Sequence, residues 1–444
     1  MRRLIGVLLV AFATQARADD PKIAYQKLEL ANGMKIYVIE DHEAPTVYEV
    51  MWVRVGSKDE VPHRTGFAHL FEHLMFKGSA HLPDGLMDEL LEQAGGSSNA
   101  YTSSDMTVFQ NVANASFLET MLWIEADRLA GLTDTLDKSK LDNQRDVVLN
   151  ERRQSYENEP YGAHELILLE NLWPKGHGYH WSTIGYPADI KAASLRDVSA
   201  FFKKYYVPNN LTMVIAGDVN VEQTKKLVEK YFAWIPKAAD PVRPRYKAPP
   251  PLTKEVVVRT TDEVQVPRVY LQWRGPSAYS IEEPALDLAS AILGDGKSSR
   301  LYKRLVYDEQ IAQDVSAGFA GETLGGAFEI EATAKPGVDP QRLIREITEE
   351  VAKIATTAPE PKELERAQNS HEASFLNGLE SALQRAIKLA EYDVMADDPD
   401  YFRADLARYR AVTAAQIKDA AAKYLKPTAR VVLTIGPGKK AQEK

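Results

Sequence analysis

The sequence predicts an α+β fold in which two homologous domains each carry a mixed, largely antiparallel sheet flanked by helices. Three observations lead there. Apolar residues recur with period two in some stretches and period 3.6 in others, and these blocks are segregated rather than strictly alternating. Two distant pairs of segments match at nearly one offset. Lys204-Tyr205, Pro208 and Gly217 recur 219 positions later as Lys423-Tyr424, Pro427 and Gly436, and Pro45-x-Val47-Tyr48 recurs 222 positions later as Pro267-x-Val269-Tyr270. A near-constant offset in two places indicates a duplicated unit of about 210 residues. Finally, residues 236–251 (PKAADPVRPRYKAPPP) hold six prolines in sixteen residues. Proline locks φ and removes a backbone donor, so this stretch reads as an extended linker.

These observations divide the chain into a first domain at 19–235, a linker at 236–252, a second domain at 253–437 and a polar tail at 438–444. In chain order, strands are expected at Val47–Val55, Met106–Val112, Leu211–Ala216, Glu255–Arg259, Val269–Trp273, Ala327–Ala332 and Arg430–Ile435. Helices are expected at Gly66–Phe76, Leu86–Gln93, Phe117–Leu129, Asp137–Glu157, Leu195–Tyr206, Ile281–Leu293, Pro340–Ile354 and Pro361–Met395.

Composition narrows the function. The chain has 444 residues, 26% charged and 44% hydrophobic, with no run of 18 apolar residues. It is therefore neither disordered nor a polytopic membrane protein. A net charge of −9 argues against general nucleic-acid binding. With no cysteine, any metal must sit on His, Asp or Glu. Arg2-Arg3, the apolar Leu4–Phe12 and the small-x-small site Ala16-Arg17-Ala18 read as a secretory signal peptide over 1–18. Its removal takes away three arginines and no acid, moving the net charge from −9 to −12. A cysteine-free exported chain of this kind fits a bacterial periplasm.

The strongest chemical signal is His69-Leu70-Phe71-Glu72-His73 within GFAHLFEHLMFKGS. On a helix, i and i+4 share a face, so His69 and His73 can converge on one ion with Glu72 beside it. A catalytic zinc takes three protein ligands and leaves a fourth position for water, whose proton a glutamate can accept. H-x-x-E-H is the inverzincin order. Ala68, Leu70, Phe71, Leu74 and Phe76 make the segment largely apolar, and two histidines and a glutamate in a buried helix need partners. The third ligand should be a carboxylate farther along the chain.

At this point the chain resembles the pitrilysin and mitochondrial-processing-peptidase family of zinc peptidases. That family follows H-x-x-E-H some 75 residues later with a glutamate in V-[IL]-x-E, and here Val147-Val148-Leu149-Asn150-Glu151 places Glu151 78 positions after His73. Asn99-Ala100-Tyr101-Thr102…Asp105-x-Thr107, the loop GHGYHWSTIG at 176–185 and Gly294-x-Gly296-x-Ser298-Ser299-Arg300-Leu301 also match. The resemblance implies half of a clamshell that encloses a peptide. It implies one Zn2+ on His69, His73 and Glu151, Glu72 as general base, and Asn99 and Ala100 opening a strand that pairs with the substrate backbone. The activity implied is that of an endopeptidase acting on peptides or unfolded segments. A non-catalytic assembly subunit of the same fold is the alternative, against which the intact set of four residues speaks.

Two departures bear on assembly. Where the family often has a second glutamate seven residues before the ligand, this chain has Gln144, able to hydrogen-bond from the same helix face but uncharged. Where many relatives carry an Arg and a Tyr seven apart, it has Val306 and Gln313. Because a full clamshell has four domains, the resemblance implies a second half. A heterodimer with a homologous chain that lacks the zinc motif but supplies that Arg and Tyr is preferred over a homodimer. In the second copy Ala291 to Asp295 stand at the place of the metal motif, so that copy is expected to hold no zinc. His177 and His180 form a weaker metal candidate, in a glycine loop poorly fixed for ligation.

Overall fold

The computed structural model describes residues 22–439. The expected signal peptide at 1–18 and most of the expected tail at 438–444 lie outside the described residues. The first half runs β1 (Gln26–Glu29), β2 (Lys35–Glu40), β3 (Thr46–Val53), α1 (Phe67–Leu74), α2 (Leu86–Gln93), β4 (Ser97–Thr102), β5 (Thr107–Asn114), α3 (Leu118–Thr135), α4 (Lys138–Arg152), α5 (His164–Leu172), α6 (Pro187–Ala192), α7 (Leu195–Tyr205), β6 (Leu211–Gly217) and α8 (Val221–Phe232). The second runs β7 (Val256–Asp262), β8 (Arg268–Gly275), α9 (Glu283–Gly294), β9 (Ala312–Glu322), β10 (Gly325–Ala334), α10 (Pro340–Thr356), α11 (Pro361–Gly378), α12 (Ala382–Glu391), α13 (Phe402–Arg410), α14 (Ala414–Tyr424) and β11 (Val431–Pro437).

The two sheets repeat one plan. The first has strand order β1-β2-β6-β3-β5-β4 and the second β7-β11-β8-β10-β9, so without β1 they are the same list. Only β2–β6 and β7–β11 pair in parallel, and the remaining neighbours are antiparallel. The α+β class and the mixed, largely antiparallel sheets are therefore as expected.

Strand alternation sorts side chains into separate cores. In β6, Leu211, Met213 and Ile215 enter one cluster with α1, α3 and α7, while Val214 and Ala216 enter another with Tyr37, Val50 and Trp52. That second cluster is closed by Ala386, Leu389 and Ala390 of α12, a helix from the other half. The exchange is mutual, because Leu168 and Leu172 of α5 cover Tyr270, Val431 and Leu433 on the second sheet. Each fully buried aliphatic or aromatic side chain contributes about 1.5–3 kcal/mol, so neither sheet keeps its outer face without the other half's helix. A division at 236–252 therefore leaves each sheet short of a helix. The stretch 236–251 forms no helix or strand, and it is tied down rather than loose. Arg243 bonds Asp59 and Asn210 at 2.8 Å each, and the Tyr246 hydroxyl donates to Lys58 O at 2.7 Å.

The helix expected over Pro361–Met395 is broken. Gly378 ends α11, Ser381 precedes α12, and the break redirects the chain onto the first sheet. Buried at this seam, the Asp393 carboxylate accepts hydrogen bonds from Lys35 (2.9 Å), Tyr37 (2.8 Å), Thr212 (2.7 Å) and Arg54 (3.1 Å). The strand runs read from pattern omit β1, β2, β4 and β9. Four of the six residues of β2 are buried in succession, which removes the alternation that marks a half-exposed strand. β1, β4 and β9 are edge strands, where small and polar residues are tolerated.

Candidate metal centre

Three elements meet at the site: α1, α4 and the β4–β5 hairpin. Helix α1 starts at Gly66, whose left-handed φ of 81° suits glycine, and has no local side-chain cap. Its free N–H groups are instead met by Glu60, which accepts from Gly66 N at 2.9 Å and Ala68 N at 2.8 Å. The Trp181 indole also donates to Glu60, at 3.1 Å. Burial pushes the Glu60 carboxyl well above the ordinary range, and these N–H donors pull the other way. Gly185 sits so close that a Cβ there would lie 2.5 Å from Gly66 Cα. The 176–185 block thus locks the start of the metal helix. Sequence reasoning passed over Glu60, and the signal available was an acid just upstream of an apolar helix without a capping residue.

Along α1, His69 and His73 project together. Their rings lie edge to face at 4.7 Å, and the two Nε2 atoms are 3.3 Å apart. Glu151, on the last turn of α4, brings one oxygen to 3.5 Å from His69 Nε2 and the other to 3.2 Å from His73 Nε2. A tetrahedral ion with ligands at ~2.0–2.1 Å has donor-to-donor edges of about 3.3 Å, which the Nε2–Nε2 separation matches, and one donor atom from each of the three residues lies within 4.8 Å of the others. Burial pushes the His69 imidazole down to about 4, with Glu151 pulling the other way, so at neutral pH the ring is uncharged and its lone pair is free to ligate. The Glu151 carboxyl is held low, first by its hydrogen bond to His73, and is anionic. Two imidazoles and a carboxylate are a donor set suited to zinc. Among the described residues this is the one trio of His, Asp or Glu close enough to share an ion.

Glu72 stands beside the trio without joining it. Its carboxylate accepts a 2.6 Å hydrogen bond from the Thr102 hydroxyl on β4. Burial raises the Glu72 carboxyl above the usual range, while Thr102 and His73 favour the charged form. Gln144 is buried two turns before Glu151, but its side-chain amide donates to Asn143 at 2.7 Å.

Asn99 and Ala100 lie on β4, the last strand of the first sheet. Ser103 N bonds Met106 O at 2.8 Å at the turn, and antiparallel residues alternate between bonded and unbonded pairs. With Ala100 opposite Phe109, that alternation turns the Ala100 N–H and C=O away from β5. The Asn99 side-chain oxygen covers that N–H at 2.9 Å. The hairpin tip is anchored across the halves, because Asp105 accepts from Tyr179 and from Thr323 N at 2.8 Å each. His177 and His180 do not form a metal pair. His177 stacks on Trp173 at 4.8 Å, and His180 Nδ1 is 2.9 Å from Trp173 O.

Comparison with known proteins bears on the family. A family model described as "Insulinase (Peptidase family M16)" matches residues 35–178, and one described as "Peptidase M16 inactive domain" matches residues 192–370. The second match begins ahead of β6, which belongs to the first sheet. The chain is 29% identical over 403 residues to the "Zinc protease PqqE" of Helicobacter pylori, covering 89% of this chain and 90% of that protein. It is 25% identical over 427 residues to a "Probable mitochondrial-processing peptidase subunit beta" of Arabidopsis thaliana, covering 92% and 77%. The crystal structure of a protease from Helicobacter pylori superposes with a TM-score of 0.86 at 27% identity, covering 93% of this chain and 99% of that one. With both family models matching in order and the fold shared across nearly the whole length, this chain belongs to the pitrilysin-like peptidase family M16.

Proposed function

We propose that the chain is an exported zinc-dependent endopeptidase that hydrolyses peptides or unfolded segments. The observation that carries this reading is the convergence of His69, His73 and Glu151, with the separately held Glu72 carboxylate alongside. A zinc ion bound there supplies Lewis acidity toward a carbonyl and lowers the pKa of a nearby water. Glu72 takes the proton from the attacking water and returns it to the leaving amine. The outward N–H and C=O of Ala100 pair with an extended peptide as an added strand, with the Asn99 side chain moving off that N–H. Export rests on the charged, apolar and small-residue pattern of residues 1–18.

The partner in this reading is a homologous chain without the zinc motif. Around Val306, the nearby arginines are already engaged. Arg300 forms a two-pronged pair with Glu363 at 2.6–2.7 Å, and Arg304 is held by Glu309, Glu350 and their neighbours. Gln313 donates to Ala334 O at 3.1 Å. No Arg–Tyr pair for a scissile carbonyl is thus offered by this segment, and a sister chain carrying one would complete the enclosure.

The test is cleavage of an unstructured peptide by the mature chain, alone and mixed with such a sister chain, before and after chelation. Activity lost with chelator, restored by zinc and raised by the sister chain is expected. Zinc-independent cleavage, or rapid cutting of a compact folded protein, contradicts the reading.

A further inference from the structure

Thr102 joins two groups that the proposed reaction needs in register. Its hydroxyl donates to Glu72 at 2.6 Å, and two residues earlier on the same strand Ala100 turns its N–H and C=O to the open edge. Thr102 packs against Thr107 across the hairpin with their hydroxyl oxygens 3.4 Å apart, and its one proton is committed to Glu72. Thr107 in turn is fixed by donating to Val55 O at 2.9 Å. The turn that follows is pinned through Asp105 to Tyr179 and Thr323. The strand edge and the Glu72 carboxylate are therefore linked through Thr102 on an anchored hairpin.

We propose that Thr102 is a positioning residue that sets the Glu72 carboxylate relative to a peptide bond lying along β4. It does not touch the reacting atoms. Its hydroxyl selects one orientation of the carboxylate, so that a peptide paired at Ala100 meets the base at a fixed offset. A carboxylate released from that bond samples other rotamers, and a shift of about 1 Å at a reacting group costs roughly 100-fold in rate at the upper end. This inference rests on the general-base reading of Glu72.

The experiment compares Thr102→Val, which keeps the shape and loses the hydroxyl, with Thr102→Ser, which keeps the hydroxyl. Glu72→Gln serves as reference. Each is measured in the full mature chain, with whatever partner co-purifies, for kcat, KM and zinc content, and Thr102→Val is crystallised. Expected for Thr102→Val is a fall in kcat of about tenfold with KM and zinc content unchanged. Thr102→Ser is expected to stay within about twofold of the parent, because the bond survives. In the Thr102→Val crystal the Glu72 carboxylate leaves its single position. A parental kcat in Thr102→Val, an equal loss in Thr102→Ser, or an unmoved Glu72 in that crystal overturns the proposal. If Glu72→Gln is as active as the parent, the general-base reading has failed, while the crystal still decides whether Thr102 holds the carboxylate.

Discussion

The crossing of α1 with α4 and that of α9 with α11 occupy corresponding places on two sheets of the same strand order, yet their chemistry differs. In the first half the crossing gathers His69, His73 and Glu151 with donor atoms 3.2–3.5 Å apart. In the second, Asp287 of α9 and His371 of α11 are joined by Tyr409 of α13. The Tyr409 hydroxyl donates to Asp287 at 3.0 Å, and its ring stacks on His371 at 3.5 Å. Burial raises the Asp287 carboxyl and lowers the His371 imidazole, so both are driven toward neutrality. The scaffold supplies a partly buried meeting of two helices in each half. Which side chains arrive there decides between a candidate metal centre and a packing contact. The two helices also begin differently: Glu60 caps the N-terminus of α1 from the preceding loop, whereas α9 has no side-chain cap and its first residue, Glu283, accepts instead from Tyr279 N in the loop before it, at 2.6 Å.

The largest effect expected from breaking this comparison is on the first crossing. His73→Ala or Glu151→Ala should lower zinc affinity by more than the roughly 10–100-fold that loss of an outer partner costs, read by metal analysis after dialysis. Next comes the seam that both halves share. Asp393→Ala removes an acceptor with four donors around it and should destabilise the chain by about 3 kcal/mol in urea unfolding. The sign of its pH dependence follows from the carboxyl. Burial pushes it up, but the bonds from Lys35, Thr212 and Tyr37 outweigh this and hold it below the ordinary range. Its contribution is therefore complete above the unfolded value of ~3.9 and is lost as pH falls through the lower folded value. The Asp393→Ala chain should show a shallower loss of stability in that acid window than the parent. Smallest is the second crossing, where His371→Ala should cost about 1 kcal/mol and leave zinc content unchanged. Loss of zinc with His371→Ala would mean the two crossings are not chemically separate.

The metal trio was legible because its cues are local. Two histidines at helical spacing in an apolar run, and a glutamate reached through the family pattern, meet as that pattern implies. The supporting contacts were less legible, though an acid ahead of an uncapped helix hinted at Glu60. Glu60 reaches the N-terminus of α1 through a loop, and Thr102 reaches Glu72 across 30 positions of chain, and neither distance follows from periodicity. Duplication showed in paired prolines, lysines and glycines, but the exchange of α5 and α12 left no trace at the linker. An apolar helix face reads the same whichever sheet it covers. The break at Gly378–Ser381 was hidden because both sides of it are helical.

The central claim is that one zinc in the first half acts with Glu72 as its proton acceptor. It is tested most directly by measuring zinc per chain and peptide hydrolysis together, in the parent and in Glu72→Gln. The account predicts about one zinc per chain in both, because the three ligands survive, with kcat reduced by roughly 10²–10⁴-fold in Glu72→Gln. Parental hydrolysis by Glu72→Gln, or loss of its zinc, would contradict the account.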